Sequence, residues 1–150
     1  MSNDTKTRQA QTRLATQLMK RILVHFRGQI DEALRPQGVT TAQLQVLYAI
    51  RKEPGTSGAQ LARFCHMTPQ SAQSLLKGLE KGGWIVRVKD KVNDRILVAQ
   101  LTRSGEALLE TAEKAARVIE KRVWNGVSDD AVGALNGVLE QCLGNLESES

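Results

Sequence analysis

Thr68-Pro-Gln-Ser-Ala-Gln-Ser-Leu-Leu-Lys-Gly-Leu-Glu-Lys-Gly-Gly83 is the stretch that decides the fold. Thr68 is a strong helix N-cap, and Pro69 suits the first helical position, which needs no amide hydrogen. Gly82 and Gly83 then stop the helix. At about 100° per residue, Ala72, Leu75, Leu76 and Leu79 fall on one side. Gln70, Gln73, Ser74, Lys77 and Lys81 fall on the other, and none of these five carries a carboxylate. Amides, a hydroxyl and ammonium groups arranged in this way suit hydrogen bonding to base edges in a major groove, with phosphates neutralised alongside. Taken alone, such a stripe is first of all a solvated helix face, so the flanking sequence has to decide.

Just upstream, Ser57 and Gln60 have capping-box spacing and open a short helix, Gly58-Ala-Gln-Leu-Ala-Arg-Phe-Cys65. A tight link, His66-Met67, joins it to the Thr68 helix. Two short helices, a brief link and a polar face on the second make the helix-turn-helix pattern. Downstream, Trp84–Lys89 and Ile96–Leu101 have strand propensity, and the polar Asp90–Arg95 between them is turn-like. This hairpin is a candidate wing.

Further out lie longer helices. Leu14, Leu18, Ile22, Phe26, Ile30 and Leu34 form the stripe of one amphipathic helix from about Arg8, after a polar and frayed residues 1–7. Its length exceeds what a small core can cover, which points to packing on a partner chain. Thr40 and Gln43 repeat the capping-box spacing before Leu44, Leu47 and Ile50. Beyond the hairpin, Thr102 caps a helix to about Trp124 with Leu108, Ala112, Ala115, Ile119 and Val123 along one side. Ser128 caps a last helix carrying Val132, Leu135, Leu139, Cys142 and Leu146. The expected fold is mainly α with a small β-hairpin. It forms one domain over 1–150, with a winged helix-turn-helix part at about 40–102 between terminal helices at about 8–35 and 103–147.

Charge follows the same division. Basic residues outnumber acidic ones seven to three over residues 1–50 and ten to four over 51–103, but acidic residues lead nine to four over 104–150. A basic middle suits a polyanion partner, namely double-stranded DNA. Cys65 and Cys142 are far apart and lack metal-ligand spacing, so neither a zinc site nor a disulfide framework is expected, and no cofactor. No apolar run approaches membrane-spanning length and the N-terminus is no secretory signal, so a cytoplasmic protein is expected. There is no nucleophile-elbow motif, no phosphate-binding glycine loop and no metal-spaced His/Glu pair, which argues against an enzyme.

The element order and five local strings resemble the MarR family of bacterial transcription regulators. The strings are Thr41-Ala-Gln-Leu-Gln-Val-Leu-Tyr48, Gly58-Ala-Gln-Leu-Ala62, Met67-Thr-Pro-Gln-Ser71, Leu75-Leu-Lys-Gly-Leu-Glu-Lys-Gly-Gly-Trp-Ile85 and Leu101-Thr-Arg-Ser-Gly105. The resemblance implies a winged-helix homodimer with the first and last helices as dimerisation helices. It also implies a recognition helix beginning at Thr68, a wing reaching the flanking minor groove, and a short palindromic operator. The family's wing usually carries Asp-x-Arg shortly before the Leu-Thr that opens the next helix. That register puts Asn93 at the Asp position and Arg95 at the Arg position, so an amide stands where a carboxylate is usual.

The candidate DNA contacts are therefore Thr68, Gln70, Ser71, Gln73, Ser74 and Lys77 on the helix and Lys89, Lys91 and Arg95 on the hairpin. Ser71 is as well suited to its own backbone as to a phosphate, and the two hairpin lysines to simple solubility. Relatives of this family bind a small aromatic or anionic effector between the dimerisation helices and the winged helix. Phe26, Tyr48 and Trp84 are candidates to line such a pocket. His25 and His66 read as structural or solvated residues, and Trp84 and Trp124 as packing anchors. Cys65 is a candidate redox thiol set against an inert buried one, and Cys142 a packing residue. The functional expectation is a homodimeric repressor released from a pseudopalindromic operator by a small ligand or by oxidation. The alternatives are a winged-helix protein-interaction module without DNA binding, and a small-molecule carrier.

Overall fold

A computed structural model of the chain describes residues 3–148. Six α-helices and a two-stranded hairpin follow one another as α1 (Asn3–Leu34), α2 (Thr41–Lys52), α3 (Gly58–Phe64), α4 (Pro69–Lys81), β1 (Ile85–Lys89), β2 (Leu97–Leu101), α5 (Arg103–Val123) and α6 (Asp129–Glu147). A 3-10 turn, Arg35–Gln37, follows α1 and closes at Gly38 in the left-handed region, φ 69°. The chain divides into two compact units, Met1–Arg117 and Val118–Ser150. Helix α1 starts earlier than its apolar stripe suggests, because Asn3–Thr7 continue the helix despite being polar. Met1 and Ser2, the rest of the segment expected to fray, lie outside the described residues.

In the first unit, local chemistry sets each helix start. Thr40 and Ser57 both form complete capping boxes, with Gln43 and Gln60 returning the bond to the cap backbone. The Asp31 carboxylate of α1 accepts the Thr41 N–H at 2.9 Å, and also the Thr41 hydroxyl, which ties α1 to the start of α2. Leu34, Leu44, Val46, Leu47, Ile50, Leu61, Leu76, Leu79, Ile85 and Leu109 are buried together with Ala72 and Val98. Each large side chain in that set contributes roughly 2 kcal/mol of hydrophobic stabilisation.

The hairpin is antiparallel, in a register that pairs Ile85 with Leu101 and Lys89 with Leu97. Ser57 adds an isolated bridge to Val98, and the Ala99 N–H reaches the Thr56 carbonyl at 3.3 Å. The segment before α3 thus lies against the hairpin as a short third rung. Thr102 joins the ends of helix and hairpin. Its hydroxyl donates to the Gly83 carbonyl at 2.6 Å and accepts the Gly105 N–H at 3.1 Å, while its own N–H donates to the Trp84 carbonyl at 3.0 Å.

In the second unit, α5 ends in a turn closed by the Val127 N–H on the Trp124 carbonyl at 3.1 Å, with Gly126 at φ 77°. Ser128 caps α6 by accepting the Ala131 N–H. The packing roles expected of Cys142 and Trp124 are not filled within one chain. Leu135, Leu139, Cys142, Leu146 and Trp124 are exposed, Leu146 at 71%. Amphipathic spacing identifies the side of a helix that needs a cover, and does not say that the same chain supplies it.

Candidate nucleic-acid interface

The helix-turn-helix is closed by two turns of one kind. At the end of α3 the His66 N–H bonds to the Arg63 carbonyl at 3.2 Å and the Met67 N–H to the Ala62 carbonyl at 2.9 Å. That pair of bonds is a Schellman turn, which needs a left-handed residue, and His66 fills the place at φ 50°. At the end of α4 the same pattern runs from Gly83 to Glu80 and from Trp84 to Leu79, with Gly83 at φ 77°. The first turn directs the chain into α4 and the second directs it into β1.

Helix α4 buries Ala72, Leu76 and Leu79 and half-buries Leu75, as the spacing predicts. Gln70, Gln73, Ser74, Lys77 and Lys81 are exposed. Glu80, the helix's single carboxylate, sits in its last turn, away from the cap. Thr68 Oγ1 accepts the Ser71 N–H at 3.1 Å and donates to Ser71 Oγ at 2.9 Å. Those two hydroxyls are therefore engaged with each other at the cap, and Gln70, Ser74 and Lys77 are the displayed groups.

Gln73 is exposed but held. Arg87 Nη1, from β1, donates to its Oε1 at 3.1 Å. Sequence reasoning missed Arg87. The β1 pattern Ile-Val-Arg-Val-Lys suggests valines facing inward, yet Val86 is 45% exposed and Arg87 is half-buried. The available signal was its strand parity with the buried Ile85.

Lys89, Lys91 and Arg95 are all exposed on the hairpin. Its tip is organised by side-chain acceptors. Asp90 Oδ2 accepts the N–H groups of Val92 and Asn93 at 3.1 and 3.0 Å, and Asn93 Oδ1 accepts that of Arg95 at 3.2 Å. The Asn93 amide thus supports the Arg95 backbone, and the guanidinium makes no ion pair among the described residues.

A separate cleft of about 350 Å3 lies between α1, α2 and α5, lined by Leu23, Phe26, Arg27, Ile30, Leu44, Tyr48, Ala112 and Ala116 among others. Phe26 and Tyr48 both line it. Trp84 does not line it; a Cβ added to Gly82 would fall 2.7 Å from the Trp84 ring, so that ring covers the end of α4 instead. The cleft's cation, Arg27, was not anticipated from sequence. Tyr48 lies under the Arg51 guanidinium, 5.2 Å from ring centre to Arg51 Cζ, and Arg51 pairs with Glu113 of α5. Burial raises the Tyr48 phenol above its ordinary pKa; Glu113 adds to the rise and Arg51 opposes it.

Cys65 is buried, with its Sγ 3.9 Å from the Gln45 carbonyl, and burial pushes its thiol pKa up. A reactive thiol needs the reverse, a stabilised thiolate in an accessible setting. The geometry therefore favours the inert reading of Cys65 over the redox one. Among the described residues no cluster of three metal-capable side chains occurs, and no helix is long and apolar enough to cross a membrane.

A capped two-helix turn followed by a bridged hairpin, with amide and ammonium groups on the second helix, defines a winged helix-turn-helix protein. Comparison with known proteins agrees. A family model described as MarR family matches residues 37–96. An HTH-type transcriptional repressor of Mycobacterium tuberculosis is 35% identical over 106 residues, spanning 71% of this chain and 76% of that one. A MarR-family transcription regulator of known structure aligns with a TM-score of 0.84 at 22% identity, over 99% of this chain and 100% of that one. A mutant MarR from E. coli, crystallised with operator DNA, aligns at a TM-score of 0.74 and 22% identity, over 85% of this chain and 92% of that one. The chain belongs to the MarR family of transcriptional regulators.

Proposed function

We propose that this protein is a homodimeric repressor that binds a pseudopalindromic operator, with one α4 helix in each of two successive major grooves and the hairpins on the flanks. The observation that carries the reading is the exposed α4 face of Gln70, Gln73, Ser74 and Lys77, continued by Lys89, Lys91 and Arg95 on the hairpin. The E. coli mutant protein's complex with operator DNA supports the same use of the fold. Dimerisation is supported by apolar side chains left uncovered at both ends of the chain. Leu14, Leu18, Met19, Ile22 and Leu23 of α1 and Val138, Leu139, Leu143 and Leu146 of α6 are each at least 36% exposed.

The effector reading rests on the α1–α2–α5 cleft. An aromatic body fits its apolar walls and the Phe26 and Tyr48 rings, and a carboxylate fits Arg27. Occupancy would bias the dimer toward a spacing of the α4 helices that no longer matches the operator. Release by oxidation at Cys65 gains no support from its buried setting.

Titration of a DNA site selected from random sequence, at several salt concentrations, tests the reading. Phosphate neutralisation gives a log K that falls with log salt by about 0.9 per phosphate contacted. A flat slope would instead favour a protein-interaction module, and sedimentation of a lone monomer would remove the two-groove geometry.

A further inference from the structure

We infer that Arg87 is a positioning residue for sequence readout, holding the Gln73 amide in the orientation it presents from α4. The inference rests on the DNA-binding reading above and goes beyond it. A free glutamine on a helix face samples several rotamers, and a half-turn about its last bond exchanges oxygen and nitrogen. That exchange matters, because adenine is read with the amide oxygen toward its amino group and the amide nitrogen toward N7. A guanidinium has donors only, so the 3.1 Å bond from Arg87 Nη1 selects the oxygen end of Gln73. The nitrogen end is confined by a different element. A Cβ added to Gly58, the first residue of α3, would lie 2.5 Å from Gln73 Nε2 and 3.5 Å from its Cδ. Glycine at that position leaves the amide its room.

The arginine is itself fixed in place. Arg87 sits opposite Ala99 in the hairpin register, and Ala99 is 2% exposed. Its Nε is buried with no partner among the described residues. The guanidinium is thus placed by strand packing, and the bond to Gln73 is the one it is shown to make. Groups from β1 and α3 together aim one side chain of α4.

The experiment is selection from random duplex DNA, followed by titration of single-base variants of the winning site. The proteins compared are the wild type, Gln73→Ala, Arg87→Ala, Arg87→Lys, Gly58→Ala and the Gln73→Ala/Arg87→Ala double variant. Gln73→Ala should lose about tenfold discrimination at one base pair per half-site, as expected for one amide contact. Arg87→Ala should relax the same base pair by a similar factor with an unchanged salt slope, and the double variant should relax it no further than Gln73→Ala. Arg87→Lys, keeping one donor, should retain part of the discrimination. Gly58→Ala meets the far end of a flexible side chain, so it should fold and yet relax that same position. If Arg87→Ala fails to fold, Arg87→Lys and Gly58→Ala carry the test. Unaltered base preference in these variants, or an even loss with a salt slope shallower by about one, overturns the positioning role while leaving DNA binding intact. A wild type that enriches no site overturns both readings together.

Discussion

Replacing Gly105 by alanine should destabilise the protein, against the usual direction of that change in a helix. Gly105 lies in the first turn of α5, where alanine's higher helix propensity would by itself add up to about 1 kcal/mol. A Cβ there would lie 2.1 Å from the Trp84 carbonyl oxygen, 3.1 Å from the Trp84 carbonyl carbon and 3.3 Å from Leu101 Cδ2. Two of these are backbone atoms, so no side-chain rotation relieves the overlap, and the chain must open by close to an ångström. The same carbonyl accepts the Thr102 N–H at 3.0 Å, and Thr102 Oγ1 accepts the Gly105 N–H at 3.1 Å. Overpacking of about 1–3 kcal/mol plus one weakened hydrogen bond of about 1 kcal/mol outweighs the propensity gain, leaving a net loss of roughly 1–3 kcal/mol. Urea unfolding at fixed protein concentration should show a lower midpoint with an unchanged m-value. Gly28→Ala is the control: it lies within α1 with nothing within 4 Å of the added Cβ, and should be neutral or stabilising by up to about 1 kcal/mol. A Gly105→Ala protein as stable as the wild type would refute the close-approach argument.

Lys89→Ala should weaken binding evenly across DNA sequences and reduce the salt slope by about one, whereas a shifted base preference would make Lys89 a base reader. Leu76→Ala removes a side chain with 0% exposure from the inner face of α4 and should lower stability by about 2–5 kcal/mol in urea unfolding; a loss under 1 kcal/mol would mean that this face is not core. His66→Gly relieves a non-glycine residue at φ 50° and should raise stability by about 0.5–1 kcal/mol, and a lower midpoint would count against strain in the turn. Cys65 gives a pH test. Its folded thiol pKa is raised, so the unfolded chain ionises first; the stability involved is fully present below the usual thiol pKa and is lost as pH rises through the folded one. Cys65→Ala should flatten the alkaline fall of a stability–pH profile, and an unchanged slope would contradict a buried thiol.

What was legible in the sequence was what local chemistry determines. Both capping boxes, the Thr68 cap and the Gly83 stop are written within four residues of the groups they satisfy, and all four form. The hairpin ends came within a residue for the same reason. What escaped depends on distant partners. Arg87 matters because a residue 14 positions earlier lies beside it, and Thr56 is buried where Ala99 of β2, 43 positions later, comes against it. Periodicity found Leu108, Ala112 and Ile119 of the α5 stripe but passed over Leu109, which is fully buried, and extended the stripe to Val123, which is exposed. The Schellman turn at His66 was hidden because its usual residue, glycine, is absent.

The amide at Asn93 has an electrostatic consequence. It secures the Arg95 backbone as a hydrogen-bond acceptor and brings no negative charge to the tip of the hairpin. Asp90 and Asp94 offset two of the three charges of Lys89, Lys91 and Arg95, and the neutral Asn93 leaves residues 89–95 with a net charge of 3 − 2 = +1. In the proposed complex this should show first in the association rate: fast capture of the duplex in dilute buffer, slowing steeply as the screening length shrinks toward about 8 Å at physiological ionic strength.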